Sequence, residues 1–349
     1  MKHRAGIDSH FGRNILPCMS KQTVRDAVCA AVVLNYNGRH ILQENLASVV
    51  SAARRVEGGC DVIVLDNVST DGSVEFVTEN YPGVTVEVAP SNRILFSYNE
   101  LCRRLRHKYV VILNNDLRLH EDSLSLLLPH CAAPDVFAVS AVLLDEEGKE
   151  VTRPRVLGES HRGLFRGVPH PENETAPTLA AGGCAVYDRE KFVALGGFDE
   201  LYWPFYWEDL DLSYGAWKRG FRVLVEPRSL MCHRHHGTIS ANSQNQAVDE
   251  RNAHLFFWKN ITDPWLIAKH IVWLAFLIPW RAVRGKKPYL RGVWTAFRKL
   301  PQALKRRREV KPLWRRTDAE VWELIRGKGA SPPSGPAKRD PVNTGSLSS

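Results

Sequence analysis

Apolar runs rich in Val and Ile occur at residues 28–34, 61–65, 84–88 and 109–113, separated by stretches long enough for helices. In "HILQENLASVVSAARRV", Ile41, Leu42, Leu46, Val49 and Val50 recur at helical spacing, and "SVEFVTENY" has room for a second helix. Strands alternating with helices predict an α/β fold: a mostly parallel sheet with helices on both faces. Right-handed crossovers then bring the C-terminal strand ends to one edge, where open α/β sheets bind ligands. Each run breaks on polar residues: "AAVVLNYNG" at Asn35, "DVIVLDNVSTDGS" at Asp66 and "VVILNND" at Asn114 to Asp116. Asn35, Asp66 and Asp116 are therefore expected to converge.

The pattern dissolves between about 145 and 178, which predicts a mobile insertion of the kind that forms lids or acceptor-facing surfaces. Order resumes at "LAAGGCAVYDREKFVALGGFDE", residues 241–263 look helical, and the composition changes beyond Pro264. The expected organisation is a flexible lead-in over 1–25, a catalytic-sized domain over 26–263, an apolar and basic helical segment over 264–326, and a low-complexity tail over 327–349.

Charge sharpens this division. The chain carries a formal +9, yet residues 281–328 alone carry +12, leaving a body of about −3. The body is thus not a basic nucleic-acid binder, and no nucleic-acid motif accompanies the basic segment. Seven cysteines scattered without a CxxC pair read as reduced thiols, which makes the sequons at Asn173 and Asn260 chance matches in a cytoplasmic protein.

No GxGxxG follows the first strand and no GxxxxGK[ST] occurs, so a glycine cradle for phosphate is absent. A hard divalent cation on a carboxylate could replace it, and Asp116 could supply that carboxylate; the alternative is a turn cap. In "YWPFYWEDLDLSYGAWKRGF", Glu208, Asp209 and Asp211 stand among aromatic residues. A carboxylate beside aromatic walls suits a general base, whereas acidic residues opening a helix can equally be capping its dipole. "CHRHHGT" offers His233, His235 and His236, either as an exposed loop or as neutral imidazoles completing a metal shell.

The motifs "VVLNYNG", "VIVLDNVSTDGS", "VVILNNDLRL", "GGFDELYWPFYWEDLDLSYGAWKRGFRV" and "HRHHGT" together resemble a family-2 glycosyltransferase with the Rossmann-like GT-A fold, over roughly residues 26–262. "LNND" looks like that family's degenerate Asp-x-Asp metal motif. The resemblance implies an inverting, Mg²⁺- or Mn²⁺-dependent enzyme of bacterial surface-glycan synthesis, similar to rhamnosyltransferases. It uses a nucleoside-diphosphate sugar donor and a glycan or lipid-linked acceptor. It implies Asn35 and Asn37 lining the nucleotide pocket, Asp66 on the nucleobase with Asn67 and Ser69 nearby, and Asn92 and Asn115 on the donor side. Gly183 would allow close backbone approach, Asp116 would bind metal with His233 or His235, Asp209 would be the base, and Glu208 would orient the acceptor. One departure stands out: Ile94 and Leu95 replace the Gly-Phe expected after Asn92.

"WLIAKHIVWLAFLIPWRAVRGKK" is apolar but interrupted by Lys269 and His270, and the following stretch places apolar residues on one helical face among many Arg and Lys. This predicts helices lying in an anionic membrane surface, on the inner face of the cytoplasmic membrane. The alternative is a helix packed on the catalytic domain. A non-catalytic nucleotide-sugar or carbohydrate-binding relative of the fold is the competing functional reading.

Overall fold

The computed structural model describes residues 27–145, 147–149, 155–233 and 243–327. The first half is built from β1 (Cys29–Asn35), α1 (Arg39–Arg54), β2 (Cys60–Asp66), α2 (Ser73–Asn80), β3 (Thr85–Val88), α3 (Ser97–Arg104) and β4 (Tyr109–Asn114). Next come β5 (Leu117–Leu119), α4 (Ser123–Leu127), β6 (Val136–Leu144), β7 (Arg155–His161), β8 (Leu164–His170), β9 (Ala176–Pro177) and β10 (Cys184–Asp188). The remainder comprises α5 (Arg189–Leu195), α6 (Glu208–Lys218), β11 (Arg222–His233), α7 (Ser243–Asn260), α8 (Pro264–Val283), α9 (Lys287–Val310) and α10 (Asp318–Arg326).

The main sheet runs β3-β2-β1-β4-β10-β6-β11-β5, with β9 added on β11. β1 to β4 are mutually parallel, as the apolar runs predict. Beyond them the sheet is mixed: β10 lies antiparallel between β4 and β6, and β5 is antiparallel to β11. This reversal matters, because β10 starts at the edge where β4 ends. Both faces of β1 are buried, which is why its sequence shows no polar alternation. Cys29, Ala31 and Val33 pack with Leu42, Leu46 and Val49 of α1, while Ala30 and Val32 join Phe96, Tyr98 and Leu101 on the other face.

The predicted mobile insertion instead contains an antiparallel hairpin, β7 paired with β8. Its Leu157 and Phe165 are buried in the core, where Phe165 meets Tyr214, Phe256 and Trp322. The hairpin tip also touches α8. Gly163 has φ +77, a Cβ there would lie 2.7 Å from the Cβ of Trp273, and its carbonyl accepts from His270 Nδ1 at 2.8 Å.

The segment beyond Pro264 divides by packing. α9 lies along α7, with Val293, Ala296 and Ala303 buried and Gly292 against the backbone of Ala247 and Arg251. α10 returns to the main core, where Val321 and Ile325 are fully buried. α8 is different: Trp265, Val272, Phe276 and Val283, at i, i+7, i+11 and i+18, form one exposed apolar face. It is long and apolar enough to cross a membrane by length and composition.

Candidate active site

The strand ends do converge. Asn35 and Asp66 are register partners at the ends of β1 and β2, and Leu34 pairs with Asn114 of β4. Asn35 donates from Nδ2 to Asp66 Oδ2 at 3.0 Å, and Asn115 donates from Nδ2 to Asn35 Oδ1 at 2.9 Å. Ser69 closes the other side, donating its amide and hydroxyl to the two oxygens of Asp66 at 2.7 and 2.6 Å. The Asn37 amide donates to Ser69 Oγ at 2.8 Å, and the Asn37 side chain accepts from the Thr70 amide. Gly38 is required here, since a Cβ would lie 2.3 Å from Asn115 Nδ2.

Asn67 connects this cluster to the next loop. It donates to the Ile94 carbonyl at 3.0 Å and accepts from Ser97 Oγ, while Asn92 Oδ1 accepts from the Ile94 amide at 3.0 Å. Ile94 has φ 53, the left-handed region that glycine favours. The loop therefore keeps the backbone shape of the glycine it lacks, with a β-branched residue in a strained conformation.

Asp116 follows β4 and is buried, with Oδ2 3.2 Å from His233 Nε2 at the end of β11. The bond to Asp116 raises the proton affinity of His233 above its ordinary value. Asp116 Oδ1 is buried without a hydrogen-bond partner among the described residues. A free carboxylate oxygen beside an imidazole suits a divalent cation whose other positions go to ligand oxygens and water. Among the described residues no group of three or more His, Cys, Asp or Glu is clustered for a metal, and His235 lies outside them.

Gly182 and Gly183 precede β10 and connect the two halves of the site. A Cβ on Gly183 would stand 3.0 Å from Asn114 Oδ1, and one on Gly182 would stand 3.2 Å from Asp209 Oδ2. The antiparallel β10 thus brings Asp209, at the start of α6, beside the end of β4. Burial raises the Asp209 carboxyl above its usual range, against the Leu210 amide that donates to Oδ1 at 2.7 Å. Glu208 is deeper: burial, then the charge of Asp209, pushes it up to about 8. Its Oε2 has no partner among the described residues. Among the described residues no hydrogen bond joins Glu208 or Asp209 to the Asp116–His233 pair.

The turn into α6 is strained. Tyr206 and Trp207 both have positive φ, 72 and 78, and such residues cost of order 1–3 kcal/mol each. Asn252 on α7 holds the turn, with Nδ2 2.9 Å from the carbonyl oxygens of Tyr202, Phe205 and Tyr206. Trp207 Nε1 donates to Asp249 at 2.7 Å. The third carboxylate, Asp211, is fully engaged by Tyr202 OH, Lys259 Nζ and Asn260 Nδ2 at 2.7, 2.6 and 2.7 Å. Asn260 is buried, consistent with its sequon being a chance match.

Two further asparagines support the site, of which Asn45 escapes a sequence reading while Asn99 keeps the spacing from Asn92 that the resemblance implies. Asn45, on the buried face of α1, donates to the Asn115 carbonyl at 3.1 Å, and Asn99 pairs with the amide and carbonyl of Phe198. A polar residue among the apolar positions of a helix was the available signal for Asn45.

A mixed α/β sheet with an asparagine–aspartate cluster at its strand ends and an acidic helix start across a glycine pair has the GT-A glycosyltransferase architecture. Solved structures share the fold. They include GalNAc-T7 with UDP, GalNAc and Mn²⁺ (TM-score 0.53, 16% identity, 68% of this chain and 49% of that one). A mannosyltransferase from Pyrobaculum calidifontis in complex with GDP-Man and Mn²⁺ matches at TM-score 0.50 and 18% identity, over 82% and 85% of the two chains. TarS residues 1–349 from S. aureus match at TM-score 0.52 and 14% identity, over 85% of each chain. Residues 30–196 match the model of Glycosyl transferase family 2. An N-acetylglucosaminyl-diphospho-decaprenol L-rhamnosyltransferase of Mycobacterium tuberculosis is 24% identical over 260 residues, 66% of this chain and 83% of that one.

Proposed function

We propose that the protein transfers a sugar from a nucleoside diphosphate to a hydroxyl of a lipid-linked glycan, inverting the anomeric configuration. The observation that carries this reading is the placement of Asp209 across Gly182–Gly183 from the Asn35–Asp66–Asn115 cluster. That cluster offers hydrogen-bonding groups for a nucleotide, and Asp209 stands where an acceptor hydroxyl would meet the donor sugar. Ionised Asp209 takes the hydroxyl proton as that oxygen bonds to the anomeric carbon. The bond to the diphosphate breaks on the opposite side, its electron pair leaving with the nucleoside diphosphate. Glu208, protonated below about pH 8, can donate a hydrogen bond that orients the acceptor. Asp116 and His233 would hold Mg²⁺ or Mn²⁺, which when bound offsets negative charge on the leaving diphosphate. The diphospho-lipid named for the mycobacterial relative supports the acceptor class.

The test is a screen of nucleoside-diphosphate sugars for turnover with and without metal. Turnover is expected to need Mg²⁺ or Mn²⁺, and Asp116→Ala is expected to lose most of it. Full turnover in excess chelator would contradict the metal assignment.

A lipid-linked acceptor requires the enzyme to work at a membrane, and α8 offers the surface. Its exposed apolar face is followed by the segment carrying +12, a combination suited to an anionic bilayer on the cytoplasmic side. Truncation before α8 is an unsuitable test, because it also removes Val321 and Ile325 from the core. The triple variant Trp265→Ser, Val272→Ser, Phe276→Ser is the better one. Each buried apolar side chain contributes about 1.5–3 kcal/mol, so binding to phosphatidylglycerol-containing vesicles is expected to weaken at least tenfold. Equal binding by variant and wild type would remove α8 from the interface.

A further inference from the structure

Two basic side chains meet beside the strained aromatic turn without an ion-pair partner among the described residues. Arg251, on α7, donates from Nη2 to the Trp203 carbonyl and from Nε to Asn252 Oδ1 at 2.9 Å. Lys299, on α9, donates from Nζ to the Leu201 carbonyl at 3.2 Å. Leu201 and Trp203 are two residues apart, so both cations are gathered on one short piece of backbone. Among the described residues neither forms an ion pair. The nearby Asp199 is already engaged by Lys259 at 2.8 Å and by Arg306 at 3.4 Å. Burial lowers the proton affinity of Arg251, and burial followed by repulsion from Arg251 lowers that of Lys299. Half-buried cations resting on neutral carbonyls are poorly compensated, and an oxyanion would be a stronger acceptor for both.

The surroundings indicate which oxyanion. On one side the rings of Trp203 and Tyr206 are exposed, on the turn that leads into Glu208 and Asp209. Asp209 follows Trp203 by six positions, a span of at most about 22 Å. On the other side α9 packs against α8: Val293 shares a cluster with Leu277, and Arg281 stacks over Tyr289. The cation pair therefore lies between a carboxylate suited to a sugar hydroxyl and a helix suited to a lipid chain. We propose that Arg251 and Lys299 form the binding site for the diphosphate of the acceptor, with the acceptor sugar against Trp203 and Tyr206 and its lipid directed towards α8. This rests on the lipid-linked acceptor of the proposed function and adds the subsite that recognises its charged linkage. An anionic phospholipid headgroup offers similar oxygens, and the experiment separates the two.

The probe is N-acetylglucosaminyl diphosphate carrying a short, water-soluble alkyl chain, compared with the neutral alkyl N-acetylglucosaminide. Binding to the full chain is measured by calorimetry in chelator, so that metal-assisted capture at the donor site does not contribute. Lys299→Gln is the main variant, because Arg251 also supports the turn; Lys299→Arg retains the charge. The expected result is binding of the diphosphate probe by the wild type, weakened about 10- to 100-fold in Lys299→Gln and largely kept in Lys299→Arg. The neutral probe should bind both weakly and equally. No binding of the diphosphate probe by the wild type would overturn the proposal, as would equal loss of both probes. Weakened binding to phosphatidylglycerol vesicles with unchanged probe binding would reassign the pair to lipid headgroups and also overturn it. Failure of the proposed function appears separately, as absent sugar transfer with probe binding intact.

Discussion

Asp318→Ala is expected to remove about 3–5 kcal/mol of folding stability, because it leaves a buried cation without its partner. Lys218 has no exposed surface, and its Nζ lies 2.9 Å from Asp318 Oδ1. Asp318 also accepts from Tyr214 OH at 2.7 Å and from the Thr262 and Asp263 amides at 2.7 and 2.9 Å. These bonds join α6, the end of α7, the start of α8 and α10. Burial alone would raise the Asp318 carboxyl, but Lys218 and these donors outweigh it and hold it below the usual range. A depressed carboxyl contributes stability above its unfolded pKa and loses it as pH falls through the folded value. The wild type is therefore expected to lose stability on acidification below about pH 4, and the variant to lack that part of the dependence. Urea unfolding of both proteins at pH 7 and across the acid range checks this. Equal midpoints at pH 7 would show that α10 is not held by the pair.

Some of this was readable in the chain. The four Val- and Ile-rich runs became β1 to β4 with ends within a residue or two of the expected ones; β1, β2 and β4 are buried parallel strands that write themselves as continuous apolar runs, while β3 is a partly exposed edge strand. The expected convergence of Asn35, Asp66 and Asp116 came from the same topology, and the side chain that bonds to Asn35 from the end of β4 is that of Asn115, one residue before Asp116. The direction of β10 was not readable, since a short apolar run carries no mark of parallel or antiparallel pairing. The β7–β8 hairpin was hidden for another reason. Its burial depends on a few residues such as Leu157 and Phe165, covered by aromatic residues from distant α6, α7 and α10. The basic tail read as one membrane-facing segment, yet Val293, Ala296 and Ala303 of α9 and Val321 and Ile325 of α10 face protein, while Trp294, Phe297 and Leu304 of α9 are exposed along with the apolar face of α8. Sequence pattern gives a helix its apolar stripe but does not name what covers it.

The same limit applied to the acidic cluster, where three carboxylates in four residues were indistinguishable by type. Their surroundings separate them. Asp211 is consumed by Tyr202, Lys259 and Asn260, whereas Asp209 borders Gly182 and spends one oxygen on its neighbour's amide. Asp209→Asn keeps the shape and hydrogen bonding of the side chain while removing the base. General-base catalysis contributes on the order of 10²–10⁴-fold, so the transfer rate should fall by that factor with donor affinity retained. Asp211→Asn should instead leave Lys259 short of a counter-charge and lower stability, with the folded fraction still turning over. The deciding measurement is the transfer rate and donor affinity of both variants, each corrected for folded protein. The account requires a folded, donor-binding Asp209→Asn with transfer lowered at least 100-fold. A wild-type transfer rate in Asp209→Asn, beside a folded but inactive Asp211→Asn, would contradict it.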